Sequence, residues 1–566
     1  MRGVHRGHTV AVGSVFRHAA ASFEPTSTSV ILWTRLTGAS STRWTAARDA
    51  ALTDVVASGE AATDDNCDGT VRVDVDGLDP ATTYWYRFTS GDESSPLGRT
   101  RTMPADDSPV RLGLVCCGRY SYAPLTVYRA LAEIDVDLVV HLGDYIYEDD
   151  GAQGPRDHRP PHTAVTLDDY RHRIAQVRED ADAQSLHLRH PMVTVWDDHD
   201  LADNAWRDGA KAHDPEEHGS WRERVAAAAQ ARSEWLPGRF DDPLVTWRTV
   251  PIGRAGELVL LDTRVAGRDQ HAGDDGTTDL HDPARSMLGA AQRSWLDERL
   301  GDVERPWSVV VSSVVVNPIV LRMPAIDRVN SALPNGYAAL DGVVMHDDQW
   351  DGYPAERDHL VERVRERAAA GGRTLLLSGD VHASWAFEGP IDETGGKPVA
   401  VEATCPSTSS APFARSRWPF ARRAIHRAVQ QLDHVRWCDL TERGFVVVEI
   451  APGAVTAEWW FADADDDAES PDARRAATFR ADREAWPPRW EEREPMDLAR
   501  TPPSDDPVLP SRPDDIRGIR RTRQLLSVGA AAAGAAVVAA AATVASLWSR
   551  SGGRGAGSRL RLMARS

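Results

Sequence analysis

The stretch DLVVHLGDYIYEDD, residues 137 to 150, decides how the rest of the chain is read. An apolar run, Leu138 to Leu142, stops at Gly143 and delivers an aspartate, with Tyr147 three residues further on. A strand that ends in this way is expected in an α/β fold, where ligands gather at the carboxyl ends of the strands. The neighbouring segments repeat the pattern. VRLGLVCC (110–117), PMVTVWDD (191–198), ELVLLDTR (257–264), WSVVVSSVVV (307–316) and RTLLLSGDVH (373–382) are short apolar runs that end in polar residues. Helical stretches such as PLTVYRALAEI and ERDHLVERVRERAAAGG lie between them. Apolar strands that alternate with helices imply an α/β core buried on both faces, here expected over residues 108–461.

Upstream, residues 8–104 read as an all-β domain. GLDPATTYWYRF places Leu78, Pro80, Thr82, Tyr84 and Tyr86 at two-residue steps, so alternate side chains face one way. The pattern is similar to the tyrosine corner of immunoglobulin-like and fibronectin type III sandwiches, with Tyr84 as the corner. TMPADDSP (102–109) reads as the connection to the α/β region.

Downstream, residues 462–523 turn acidic and proline-rich and are expected to form a peripheral linker. Residues 525–548 carry no charge, and as a helix would extend about 36 Å, enough to span the hydrocarbon core of a bilayer. A basic tail, 549–566, follows. No secretory signal is recognisable at the N-terminus. These features predict a single C-terminal membrane span, with the α/β domain expected on the cytoplasmic side.

Composition excludes some classes. At 566 residues the chain exceeds what a single core supports. Its formal charge of −20 argues against general nucleic-acid binding. Five cysteines, an odd number, do not make a disulfide framework. Lysine is almost absent: only Lys211 and Lys397 occur.

Four strand ends carry metal-ligand types: Cys117, Asp144 with Tyr147, Asp198 with His199, and Asp380 with His382. Buried charges brought together in this way need compensation. Two cations about 3.5 to 4 Å apart would supply it, and such a pair can clamp a phosphate and activate water. Thiolate and phenolate suit a transition metal such as Fe3+, whereas carboxylates suit a harder cation such as Ca2+. Asp144 is expected to bridge the two ions, Cys117, Tyr147 and His382 to hold the first, and Asp198 and Asp380 the second.

With these residues in view, the chain resembles the alkaline phosphatase D family of calcineurin-like metallophosphoesterases over residues 10 to 460. HLGDYIYE (141–148), VTVWDDHDLADN (193–204), LDTR (261–264), DQWDGYPAER (348–357) and LLLSGDVHAS (375–384) carry the resemblance. It implies two mixed sheets flanked by helices and preceded by an immunoglobulin-like sandwich. It also implies metal-dependent hydrolysis of phosphate mono- or diesters, with His199 as the catalytic residue and Arg264 either as a phosphate contact or as a structural salt bridge to a neighbouring acid. Three departures stand out. Cys116–Cys117–Gly118 replaces the family's Ser-Cys-Gln, Asp200 replaces a Glu, and SSVVVN (312–317) replaces a glutamine-containing block. A tethered binding protein with an inactive α/β domain is the competing expectation.

Overall fold

Seventeen strands of the described residues assemble into two large sheets that pack face to face, and their apposition creates the site. In this computed structural model the described residues are 14–152, 154–272, 279–319, 321–322, 337–340, 343–390, 396–413, 429, 432–463, 471–498 and 507–512. The chain divides into two units, Met1–Ile516 and Arg517–Ser566, and every described residue belongs to the first.

In the first sheet, Val110–Val115, Leu138–His141 and Met192–Thr194 run parallel, and Gly444–Ala451, Ala454–Ala462 and Ala473–Asp482 add antiparallel strands beyond Val110–Val115. In the second, Gly256–Leu260, Trp307–Val311, Arg373–Ser378 and Val401–Thr404 are parallel, with antiparallel strands at both margins. Alternation along each strand decides which side chains meet. Leu112, Leu114, Leu138 and Val140 from one sheet share a core with Leu258, Leu260, Val309, Val311, Leu375 and Leu377 from the other. The opposite faces are covered by helices. Thr126–Ala132, Leu167–Glu179, Ala181–Arg189 and Trp221–Trp235 lie over the first sheet, and Gly289–Gly301 and Pro354–Ala369 over the second. The parallel strands therefore release their carboxyl ends side by side, on one rim of the interface between the sheets.

The N-terminal region is less separate than the sequence implies. Its strands Ala20–Phe23, Val30–Arg35 and Thr70–Val75 extend the first sheet, joined by the parallel pairing of Phe23 with Met192. The remaining strands form a five-stranded sheet. Val30 and Leu32 face that sheet, whereas Ile31 and Trp33 face the helical layer, so Val30–Arg35 is buried on both sides. Tyr84 forms the expected corner, its hydroxyl accepting the Asp79 backbone N–H at 2.8 Å.

Two expectations are corrected. The stretch from 462 is not all linker, because Ala473–Asp482 is a ten-residue strand paired along Ala454–Ala462. Its Phe479 and Ala481 enter the core between the sheets, a period-two signal hidden by the acidic composition around it. Beyond it, Arg512 reaches Asp182 at 2.8 Å, and Arg129 donates to the Pro510 carbonyl. The membrane location is also withdrawn. Among the described residues no helix is long and apolar enough to cross a membrane. The segment on which that expectation rested, 525–548, lies outside the described residues.

Candidate metal centre

Four of the expected ligands share an unusual backbone. Cys117 (φ 56°), Asp144 (φ 56°), Asp380 (φ 64°) and His382 (φ 49°) are all left-handed. Such conformations cost of order 1–3 kcal/mol each and persist only where the surroundings enforce them. Here the strand ends are tied to one another: Cys117 N donates to Gly143 O at 3.2 Å, and Gly118 N to Asp144 O at 2.9 Å. Gly143 itself (φ 105°) passes so close to the next strand end that a Cβ would lie 2.5 Å from the Cβ of Asp197. Only glycine permits that approach. Asp200 shapes the same loop by accepting backbone N–H groups from Asp144, Tyr145, Ile146 and Asp197 at 2.9 to 3.2 Å. The departure from Glu at this position thus falls on a carboxylate that organises backbone.

The side chains gather into two adjoining groups. Ligating atoms of Cys117, Asp144 and His382 lie within 4.8 Å of one another, as do those of Asp144, Asp197, Asp198 and Asp380. Asp144 belongs to both. The Tyr147 hydroxyl donates to Asp144 Oδ2 at 2.8 Å, accepts from Ser410 Oγ at 2.8 Å and lies 3.4 Å from His382 Nε2. His382 Nδ1 donates to the Ala411 carbonyl at 2.9 Å, which leaves Nε2 as the ring's acceptor. A third group, Asp198, His199 and Asp203, adjoins these.

These groups fit a pair of cations. Burial, with repulsion from neighbouring aspartates, pushes the carboxyls of Asp144 and Asp380 well above the usual range. Burial likewise raises the Cys117 thiol and the Tyr147 phenol, and Asp144 adds to both. Asp197 Oδ2 is buried without a hydrogen-bond donor among the described residues, and Asp198 Oδ1 has only the Arg264 guanidinium beside it, at 3.3 Å. Acceptors in this state are what bound cations compensate.

His199 lies where the groups meet. Its Nδ1 is 2.7 Å from Glu148 Oε2, its backbone N–H donates to Asp144 Oδ1 at 3.2 Å, and its ring lies 4.2 Å from that of Tyr147. Burial would lower its pKa, but Glu148, Asp198 and Asp144 together hold it well above the ordinary value.

Arg264 is not where a phosphate contact would be. It is 1% exposed, and its guanidinium is engaged below the ligands. Nη1 and Nη2 contact Asp348 at 2.7 and 3.0 Å, Nε contacts Asp197 at 2.5 Å, and Nη2 lies 3.3 Å from Asp198. Asp348 also accepts from Arg268 at 2.7 Å and pairs with His271 at 2.6 Å. Burial alone would raise the Asp348 carboxyl, yet Arg264, then Arg268 and His271, hold it well below the usual range.

The sequence reading missed Asp197, Asp203, Glu148 and Asp348. The acidic run around 197–200 held a signal for the first two; nothing local distinguishes Glu148 or Asp348.

Residues 112–459 match the PhoD-like phosphatase family, and residues 5–104 match the PhoD-like phosphatase N-terminal domain. Alkaline phosphatase D of Bacillus subtilis (strain 168) is 32% identical over 413 residues, an alignment covering 67% of this chain and 66% of the relative, just under two thirds of its length. A solved structure titled "Structure of PhoD" superposes with a TM-score of 0.73 at 26% identity, covering 91% of this chain and 99% of that one. The chain belongs to the PhoD-like phosphatase family.

Proposed function

We propose that this protein is a phosphoric ester hydrolase with a dinuclear centre, acting on phosphate mono- or diesters. The observation that carries the reading is the position of Asp144, common to a thiol–imidazole group and to a carboxylate group. Cys117, Tyr147, His382 and Asp144 would hold Fe3+; Asp144, Asp198 and Asp380, joined by Asp197, would hold Ca2+. When bound, the cations supply Lewis acidity toward the phosphoryl oxygens and lower the pKa of water. The remaining work falls to the chain's own side chains. Glu148 fixes the His199 ring through Nδ1 and favours its protonated form, so Nε2 carries the proton that the leaving oxygen requires. Tyr147 packs against the same ring and limits its rotation. Arg264 orients Asp197 and Asp198 rather than contacting substrate. The two helix-flanked sheets are read as a calcineurin-like sandwich and the N-terminal domain as immunoglobulin-like, on the corner at Tyr84.

The test is a hydrolysis screen of phosphate mono- and diesters with parallel metal analysis, on wild type and Asp144→Ala. Wild type should turn over at least one ester class and carry two cations per chain; Asp144→Ala should lose activity and lower the content of both. A wild-type protein that hydrolyses no phosphate ester, or an Asp144→Ala variant that keeps full activity, overturns the proposal.

A further inference from the structure

Within the carboxylate group, Asp380 is held by a different kind of partner from Asp197 and Asp198. Arg264 contacts those two at 2.5 and 3.3 Å, but its Nη2 lies 3.9 Å from Asp380 Oδ1. The side-chain amide of Gln349 instead donates to Asp380 Oδ2. Among the described residues no other side chain donates a hydrogen bond to Asp380.

The amide is oriented from behind. Gln349 is 1% exposed, and its Oε1 accepts the backbone N–H of the fully buried Val315 at 2.6 Å. A backbone N–H can only donate, so it takes the amide oxygen and turns the NH2 toward Asp380. Trp350 N donates to Val315 O at 3.2 Å and Trp350 Nε1 to Ser312 Oγ at 3.3 Å, which locks residues 349 and 350 onto the loop 312–317. The same loop holds the strand end that carries Asp380, with Gly379 N donating to Ser313 O at 3.0 Å. Because the loop meets Gln349 through backbone, the SSVVVN departure leaves this anchor intact.

The chemistry of the donor matters. An arginine or lysine at this place would neutralise a carboxylate whose charge a cation needs. An amide orients the carboxylate and leaves its charge whole. With Oδ2 engaged, Oδ1 is the oxygen left to a cation. Outer contacts of this kind change metal affinity about 10- to 100-fold.

We propose that Gln349 is a positioning residue that presents Asp380, through Oδ1, to the harder cation of the pair and sets how tightly that cation is held. The inference rests on the dinuclear reading and adds the residue that tunes one of its two positions. Gln349 makes no hydrogen bond to Cys117, Tyr147 or His382, so its effect is confined to the carboxylate group.

The experiment dialyses purified wild type, Gln349→Met and Gln349→Asn against graded free Ca2+ and measures the metal content of each. Gln349→Met removes both hydrogen bonds, and Gln349→Asn keeps the amide but is too short to reach Val315 and Asp380 together. Both should need more Ca2+ for half-saturation, Gln349→Met by at least about tenfold, with the content of the other metal unchanged. Phosphatase activity lost at low Ca2+ should return as Ca2+ is raised, a rescue that a merely structural role would not show. Calcium saturation identical to wild type in both variants overturns the proposal. So does a parallel loss of both metals and of near-UV circular dichroism in both variants, which would leave Gln349 a structural residue. A wild type that takes up no second cation at any Ca2+ concentration overturns the dinuclear reading, and the proposal with it.

Discussion

Replacing Arg264 by Met separates two roles for this residue, because a buried clamp and a phosphate contact fail in different ways. The guanidinium lies among four carboxylates, with Asp197, Asp348 and Asp198 at 2.5 to 3.3 Å and Asp380 at 3.9 Å. Removing one partner of a fully buried ion pair costs about 3–5 kcal/mol, because the other charge is left uncompensated. Asp348 retains Arg268 and His271, which softens its loss. Asp197 retains only the Ser313 hydroxyl at 2.9 Å among its side-chain donors. The lower end, about 3 kcal/mol, is therefore expected for Arg264→Met in EDTA-treated protein, where bound cations cannot take over the compensation. Urea denaturation at pH 8 would show it as a lowered midpoint at unchanged slope. Added Ca2+ should recover part of the difference. If Arg264→Met matches wild type in stability and only raises KM, the guanidinium is a phosphate ligand and the clamp argument is refuted.

Other outcomes follow from the same geometry. His199→Ala should keep its metals and lose roughly 10²- to 10⁴-fold in kcat, as for a general acid; metal loss comparable to that of Asp144→Ala would mark it as a ligand. Tyr147→Phe should remove or shift any visible charge-transfer band of the purified protein while circular dichroism stays unchanged, and an iron-free wild type with full activity would refute the Fe3+ assignment. His141 is completely buried against Tyr128 at 2.7 Å, and burial lowers its pKa to about 3. Its unfolded-state pKa is near 6.5, so the unfolded chain binds the extra proton first. Stability should fall as pH drops below about 6.5, by at most about 1.4 kcal/mol per pH unit from this group. His141→Gln should flatten that slope, and an unchanged slope would show that other groups set it.

The sequence by itself carried the periodicities and the chemistry at their ends. Apolar runs that stop in Cys117, Asp144, Asp198 and Asp380 identify parallel strands and the rim where their ligands gather, because both signals are local. Tyr84 was legible for the same reason, its corner closing over only five residues. What depends on distant partners was not. Arg264 reads equally as a phosphate contact or a structural salt bridge until the fold sets Asp348, 84 positions away, against it and buries both. Glu148 and Asp197 look like surface acids in a charged run until His199 and the turn at Gly143 enclose them. Ala473–Asp482 is hidden by its acidic surroundings, since a strand at that position is stabilised by the partner it pairs with rather than by its own composition. Local sequence specifies which groups are offered to the site; only the packing of one sheet on the other decides which of them are compensated, and by what.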